Sequence, residues 1–128
     1  MYKRPLIIFE GIEGSGKSTQ INRVAKYLNK KKIKYIKIRE PGGSLNSERI
    51  RSLLLDKKSN FNPLTDLFLY MASRNENIIN ILLKNYNKKV ILIDRFIYSS
   101  IAYQHYGMKI DIKFINLLNK MLLKNIKP

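Results

Sequence analysis

The stretch Phe9-Glu10-Gly11-Ile12-Glu13-Gly14-Ser15-Gly16-Lys17-Ser18-Thr19-Gln20 fits the pattern G-x-x-x-x-G-K-[ST]. An apolar run at 6–9 precedes it, and an amphipathic helical pattern at 21–28 follows it. A strand, a glycine-rich turn and the start of a helix together form a cradle of backbone N–H groups at the positive end of the helix. The stretch therefore predicts a phosphate-binding loop, and a plain glycine-rich turn is the weaker alternative.

Three side chains at the end of this loop have distinct expected roles. Lys17 would supply positive charge to the β- and γ-phosphates of a nucleotide, and the Ser18 hydroxyl suits a magnesium ion, Mg2+. Thr19 is either an ordinary helix residue or a further hydrogen-bond donor to a phosphate. The loop glycines permit close approaches of the backbone that a Cβ atom would block.

The composition is that of one domain over residues 1–128, with 45% hydrophobic residues and no apolar run long enough to cross a membrane. The segment 1–5 leads directly into an apolar run, so no signal peptide is expected. The absence of cysteine excludes disulfides and thiolate metal sites, and a single histidine, His105, excludes multi-histidine metal sites. These features predict a cytoplasmic enzyme.

The formal net charge of +16 raises the question of a nucleic-acid partner. The lysines are spread over predicted helix faces and turns, as at 30–32, 57–58 and 88–89, rather than gathered in one patch. Abundant Lys, Asn and Ile are what an AT-rich coding bias favours. We therefore attribute the charge mainly to solvated surface, and we expect neither a nucleic acid nor a membrane as a partner.

The order of predicted elements indicates an α/β fold with a parallel sheet. Strands are predicted at 5–10, 33–38 and 89–94. Helices are predicted at 17–31, 46–56, 63–85 and 96–105, with a last helix starting at an Asp111 cap.

The helix predicted at 63–85 carries one apolar stripe at about 100° per residue. The stripe consists of Leu64, Leu67, Phe68, Met71, Ile78, Ile79 and Leu82. Tyr70 and Arg74 lie at i and i+4 beside it, so the two side chains are neighbours on the helix surface. They could hold a planar base, or they are a partly buried tyrosine and a solvent-facing arginine.

The last predicted strand ends in Asp94, and Arg95 follows at once. A carboxylate at the end of a strand beside a phosphate loop suits a ligand of Mg2+ or of its water. Arg95 can bind an anionic phosphoryl group with paired donors. The alternatives are a helix cap for Asp94 and a structural ion pair for Arg95.

Four groups of residues follow one another in the order and spacing of a known enzyme family. They are Phe9-Glu10-Gly11-Ile12-Glu13-Gly14, Arg39-Glu40-Pro41-Gly42-Gly43, Asp94-Arg95-Phe96, and Ser99-Ser100 with Ala102-Tyr103-Gln104. In these motifs the chain resembles thymidylate kinase from about residue 5 onwards. The resemblance implies the fold of a P-loop nucleoside monophosphate kinase, with three layers around a parallel sheet.

The resemblance implies a thymine pocket on the acceptor side. Tyr70 stands where the family usually has a phenylalanine stacked on the base, and its ring face would preserve that stacking. Arg74 matches the arginine that hydrogen-bonds the base carbonyl and favours thymine over cytosine. Ser100 and Gln104 would line the same pocket, or serve packing alone.

The resemblance also implies contacts to the sugar and phosphate of dTMP. Glu13 resembles the loop carboxylate that binds the 3′-hydroxyl, and Tyr103 the tyrosine that crowds the sugar 2′ position. Arg51 would reach the acceptor phosphate, unless it is only a surface residue. Arg39 either approaches the same phosphate or has a structural role, and the tight turn after it makes the Glu40-Pro41 bond a candidate cis peptide.

The implied reaction transfers the γ-phosphoryl group of ATP to dTMP and gives dTDP and ADP for dTTP synthesis. The residues expected to contact ATP are Gly11, Ile12, Glu13, Gly14, Ser15, Gly16, Lys17, Ser18 and Thr19. The expected catalytic residues are Lys17, Asp94 and Arg95, with Ser18 and Asp94 as Mg2+ ligands and Arg95 also bound to dTMP. Positioning of the substrates and neutralisation of charge supply most of the lowering of the barrier in such a reaction, so no strong base is needed.

One subtype of the family has a catalytic arginine in the loop, at the position that Gly14 occupies here. The other subtype lacks that arginine and takes its catalytic arginines from a mobile lid, and this chain resembles the second subtype. The sequence stops at 125–128, where the family would enter a fourth strand and then that lid. We expect an N-terminal portion, truncated before the fourth strand, that binds nucleotide more readily than it turns it over. The family is typically a homodimer, which we expect for the full-length protein.

The missing fourth strand would leave the first strand with an open apolar edge, which predicts low stability or poor solubility. Two alternatives to the thymidylate kinase function stay open: a P-loop kinase for another nucleotide, and a nucleotide-binding fragment with little turnover. A nucleic-acid-associated ATPase is suggested by the charge alone.

Overall fold

The computed structural model describes residues 4–124 and 126–128. The strands are β1 (Leu6–Phe9), β2 (Tyr35–Arg39) and β3 (Val90–Asp94). The helices are α1 (Lys17–Lys30), α2 (Leu45–Leu55), α3 (Pro63–Asn77), α4 (Leu83–Asn85), α5 (Ile97–Ser100) and α6 (Ile112–Leu123). Two π-helical segments, Ile78–Leu82 and Ile101–Gly107, continue α3 and α5 respectively. No helix among the described residues is long and apolar enough to cross a membrane.

The three strands form one parallel sheet in the order β1-β3-β2. Phe9 of β1 and Arg39 of β2 both pair in register with Asp94 of β3, so the carboxyl ends of all three strands meet at one edge. In an open α/β sheet this edge is where ligands bind. Within the described residues β1 pairs with β3 alone, and its other side forms the open edge expected from the sequence.

Side chains alternate along the strands and bury both faces of the sheet, which gives the predicted three layers. One face packs against α1, through Ile21, Ala25, Leu28, Val90 and Leu92. The other packs against the π-helical continuation of α3 and the chain after β3, through Leu6, Ile78, Leu82, Ile91, Ile93, Phe96, Leu123 and Ile126. A smaller cluster of Leu67, Met71 and Ile115 joins α3 to α6.

Side-chain caps fix the starts of three helices. Ser44 accepts a hydrogen bond from the Ser47 amide at α2, and Asn62 accepts one from the Leu64 amide at α3, where Pro63 occupies the first helical position. Asp111 accepts from the Lys113 amide, which confirms the predicted cap of the last helix.

The second strand begins two residues later than predicted, at Tyr35 instead of residue 33. The amide of Lys32 binds the Asn29 carbonyl and the amide of Ile33 binds the Leu28 carbonyl, so these residues complete the C-terminal turn of α1. Lys32 adopts φ 55°, the left-handed conformation that such a helix end requires.

The predicted apolar stripe of the third helix is wrong for three of its members. Leu64, Phe68 and Ile79 are 43%, 48% and 52% exposed. The π-helical turn at 78–82 breaks the regular periodicity, so Ile79 turns away from the core. Phe68 lies at the rim of the α3–α6 contact, edge-on to Phe114 at 6.2 Å between ring centroids.

Candidate nucleotide-binding site

The glycine-rich loop joins β1 to α1 at the carboxyl edge of the sheet. Gly16 precedes the helix with φ 85°, a conformation that glycine adopts without strain. A Cβ atom on Gly11 would lie 2.6 Å from the Ser15 hydroxyl oxygen. Among the described residues no side-chain hydrogen bond caps the start of α1 at Gly16, so its first amide groups are available to an anion.

A cavity of about 520 Å³ opens over this loop and the end of β3. Its lining includes Ile12, Glu13, Gly14, Gly16, Lys17, Ser18, Thr19, Arg39, Arg51, Asp94 and Arg95. The first seven of these belong to the loop and the start of α1, and the others lie at the ends of β2 and β3 or on α2. The cavity therefore brings the predicted phosphate-binding residues together with three arginines.

Lys17 and Asp94 form an ion pair across this cavity, with 2.5 Å between Lys17 Nζ and Asp94 Oδ1. The hydroxyl-bearing side chain of Ser18 is exposed in the first turn of α1 and lines the same cavity. Within 4–124 and 126–128, no cluster of three or more Asp, Glu, His or Cys side chains is placed to hold a metal ion. One carboxylate and one hydroxyl fit Mg2+, which usually takes few protein ligands and completes its shell with phosphates and water.

Arg95 has the left-handed backbone angle φ 67° directly after β3. Its guanidinium donates to the Tyr103 hydroxyl over 3.0 Å and lies 5.6 Å from the centroid of that ring. The carboxylate of Glu10 holds the turn that follows, since it accepts from the amide of Phe96 over 2.9 Å and from the amide and hydroxyl of Ser99. Glu10 belongs to the first of the four family motifs, but no role was predicted for it.

A second cavity, of about 220 Å³, adjoins the first. Its lining includes Glu13, Arg51, Tyr70, Arg74, Arg95, Ser100, Tyr103 and Gln104. Arg39 is the single predicted acceptor-side residue outside this lining among the described residues, and it lines the larger cavity instead. Four residues, Glu13, Glu40, Arg51 and Arg95, line both cavities and so stand between them.

Arg74 is 2% exposed, so the alternative of a solvent-facing arginine is wrong. It donates to Glu40 Oε2 over 2.8 Å, to Ser100 Oγ over 2.9 Å and to Asn119 Oδ1 over 2.5 Å, and its guanidinium lies 4.9 Å from the centroid of the Phe96 ring. Burial raises the pKa of the Glu40 carboxyl above its ordinary value, and the neighbouring guanidinium acts in the opposite direction. The partners Glu40 and Asn119 were missed, because nothing local in the sequence links them to Arg74.

The turn after β2 carries the cis Glu40-Pro41 bond that was predicted. Arg51 donates to the Pro41 carbonyl over 2.7 Å. Arg39 donates to Glu48 Oε2 over 3.1 Å, and the Gly43 amide donates to Glu48 Oε1 over 2.8 Å. The hydrogen bond from Arg39, with that from the backbone, lowers the pKa of the Glu48 carboxyl.

Gln104 and Tyr70 line the second cavity, and Tyr70 belongs to α3. Gln104 Nε2 donates to Asp66 Oδ2 over 3.3 Å. Burial raises the pKa of Asp66, and it also raises the pKa of the half-buried Tyr70 hydroxyl. Asp66 was not among the predicted site residues.

Comparisons with known proteins agree on one family. The thymidylate kinase family model matches residues 9–128. A thymidylate kinase of Kosmotoga olearia is 42% identical over 95% of this chain and 59% of its own length. A thymidylate kinase of Thermosipho africanus is 44% identical over 95% of this chain and 61% of its own length.

Comparison with solved structures indicates the same family. The crystal structure of a thymidylate kinase from Ehrlichia chaffeensis superposes with a TM-score of 0.90 and 37% identity, over 99% of this chain and 72% of that one. The chain thus spans about three-fifths of the length of the curated relatives it matches, at 59% and 61% for the two described above. The parallel α/β fold and the resemblance expected from the motifs are confirmed, and the chain belongs to the thymidylate kinase family.

Proposed function

We propose that this chain supplies the nucleotide-binding part of an enzyme that transfers the γ-phosphoryl group of ATP to dTMP. The observation that carries the proposal is the pair of adjoining cavities that share Glu13, Glu40, Arg51 and Arg95. The larger lies over a phosphate loop, and the smaller has an aromatic and polar lining suited to a base. Family membership supports the same reaction.

In this proposal the loop holds the ATP phosphates, with Lys17 and the first amides of α1 directed at them. The smaller cavity takes the thymine ring between Tyr70 and the polar groups of Arg74 and Gln104. Arg95 then lies between the triphosphate of ATP and the single phosphate of dTMP, where it binds the phosphoryl group during transfer.

Mg2+ is the cofactor that the family implies, and Ser18 with Asp94 would hold it. When bound, the ion would neutralise charge on the ATP phosphates. Ser18 and Asp94 line the same cavity over the glycine-rich loop, which supports this assignment.

Positioning and charge neutralisation supply most of the expected rate acceleration. Gly14 places no arginine in the loop, so we propose that further arginines come from the additional length that the relatives have. Arginines of this kind contribute about 10³–10⁵-fold in related phosphoryl transfers. We also propose a homodimer for the full-length protein and a cytoplasmic location.

Incubation with ATP, Mg2+ and dTMP, with chromatographic detection of dTDP, tests the reaction. We expect dTDP formation above that of a Lys17→Ala variant, and the same assay with dCMP, dAMP and dGMP should give less product. Binding of dTMP and of ATP is measured in parallel by calorimetry, because binding depends less than turnover on further arginines. If the protein phosphorylated another nucleotide faster than dTMP, that nucleotide and not dTMP would be the acceptor.

A further inference from the structure

The side-chain amide of Gln104 has a hydrogen-bond partner at its nitrogen but none among the described residues at its oxygen. The side chain is 1% exposed and belongs to the lining of the smaller cavity. Its Nε2 donates to Asp66 Oδ2 over 3.3 Å, whereas its Oε1 is buried and has no hydrogen-bond partner among the described residues. A buried carbonyl without a donor is unfavourable, so this oxygen is suited to a donor on a ligand.

The orientation of the amide follows from the chemistry of its neighbour. An ionised carboxylate accepts hydrogen bonds and cannot donate them, so Asp66 pairs with the NH2 end of Gln104 and repels the carbonyl end. A glutamine beside a neutral amide or hydroxyl could adopt either orientation. Asp66 lies half-buried in the first turn of α3, outside the residues that line the cavity, so its effect on a ligand would pass through Gln104.

We propose that Asp66 is a positioning residue, which fixes Gln104 as a hydrogen-bond acceptor for the cavity and so selects bases with an N–H group at ring position 3. Thymine carries that N–H group, whereas cytosine has an unprotonated acceptor nitrogen at the same position. The inference rests on the proposed function, since it requires that the smaller cavity holds a pyrimidine. Tyr70, one helical turn after Asp66, lines the cavity where it can stack on that ring.

The test is the ratio of dTMP to dCMP affinity, measured by calorimetry for the wild-type chain and for Asp66→Asn. The substituted asparagine can either accept from or donate to Gln104, so the amide loses its fixed orientation. We expect the ratio to fall about tenfold, the size of one hydrogen-bond contribution. Asp111→Asn is the matched control, since it makes the same chemical change at an exposed helix cap and should leave the ratio unchanged.

A double-mutant cycle separates positioning from a general structural effect. If Asp66 acts through Gln104, then Asp66→Asn has no further effect on the ratio in a Gln104→Ala background. An unchanged ratio in a folded Asp66→Asn variant, as judged by its thermal transition, overturns the proposal. So does a full additional loss in the double variant.

A measurement on the wild type does not depend on the variants folding. In isotope-labelled protein, dTMP should shift the side-chain carbonyl carbon of Gln104 while its amide nitrogen changes little, because the NH2 group stays with Asp66. A shift confined to the amide nitrogen contradicts the proposal. Selective dTMP binding with an unchanged ratio in Asp66→Asn would overturn this inference alone, whereas wild-type protein that binds neither dTMP nor dCMP would overturn the proposed function as well.

Discussion

Lys17 Nζ lies 2.5 Å from Asp94 Oδ1, which ties the end of the glycine-rich loop to the end of the central strand β3. Asp94 also stands in register with Phe9 and Arg39, the last residues of the two flanking strands. The carboxylate is therefore fixed by the sheet, and it in turn fixes the ammonium group of the loop.

Replacement of Asp94 by Asn should weaken the binding of ATP with Mg2+ more than the binding of ATP alone. Asn keeps the size of the side chain but removes the charge that holds Lys17 and suits the cation. In an active preparation we expect turnover to fall about 10²–10³-fold, the usual effect of losing one preorganised electrostatic group. Calorimetry with and without Mg2+ measures the first effect, with Asp56→Asn at an exposed turn as the control. If ATP binding weakened equally with and without Mg2+, Asp94 would not be a ligand of the cation.

Loss of the Glu40 carboxylate should destabilise the fold strongly. Glu40→Ala leaves the buried guanidinium of Arg74 without its anionic partner, and breaking a buried ion pair in this way costs about 3–5 kcal/mol. Urea denaturation measures the change in the free energy of unfolding. The control is Glu76→Ala, which removes hydrogen bonds to Asn46 and Asn80 at a more exposed position of α3. A loss below about 1 kcal/mol, the range of an exposed pair, would show that Arg74 finds other partners.

The stability of the chain should depend on pH through Glu48. The folded state lowers the pKa of this carboxyl below its ordinary value of 4.5, mainly through the hydrogen bond from Arg39. The stabilisation is therefore present above about pH 4.5 and is lost as the pH falls through the lower, folded pKa. Thermal transitions of wild type and Glu48→Gln should converge as the pH is lowered below 4.5. In an Arg39→Gln background this convergence should be smaller, and an equal pH dependence in both backgrounds would rule out Arg39 as the main cause.

The ring of Tyr70 should matter more for nucleotide binding than its hydroxyl. Tyr70→Phe keeps the face that stacks on a base, so dTMP affinity should change by less than about threefold. Tyr70→Ala removes a stacking contact of about 1–3 kcal/mol and should weaken binding roughly 5- to 150-fold. Tyr98→Ala, at a residue that is 67% exposed, serves as the control in the same titration. A large loss in Tyr70→Phe would instead assign the specificity to the hydroxyl group.

Local sequence was sufficient for the parts of the fold that depend on neighbouring residues. The strand, glycine turn and helix around Lys17, the Asp111 cap and the cis Glu40-Pro41 bond all follow from short segments, and all are present. The apolar stripe of α3 failed at Ile79, because periodicity assumes regular helix and a π-helical turn intervenes.

The partners that complete the site could not be predicted from local patterns. Glu10 reaches the Phe96 amide across 86 residues, and Asn119 reaches Arg74 across 45. Asn and Glu are common surface residues, so their types carried no signal, and only the packing of the helices on the sheet brings them next to Phe96 and Arg74.

The contacts of Arg74 join segments that are far apart along the chain. Glu40, Ser100 and Asn119 lie 34, 26 and 45 residues away along the chain, and each contact closes a loop at an entropic cost. The α1 layer likewise depends on distant segments, since Ile21, Ala25 and Leu28 pack against Val90 and Leu92 of β3. A substitution that breaks any one of the Arg74 contacts should therefore loosen the wall of the smaller cavity, which Arg74 and Ser100 both line.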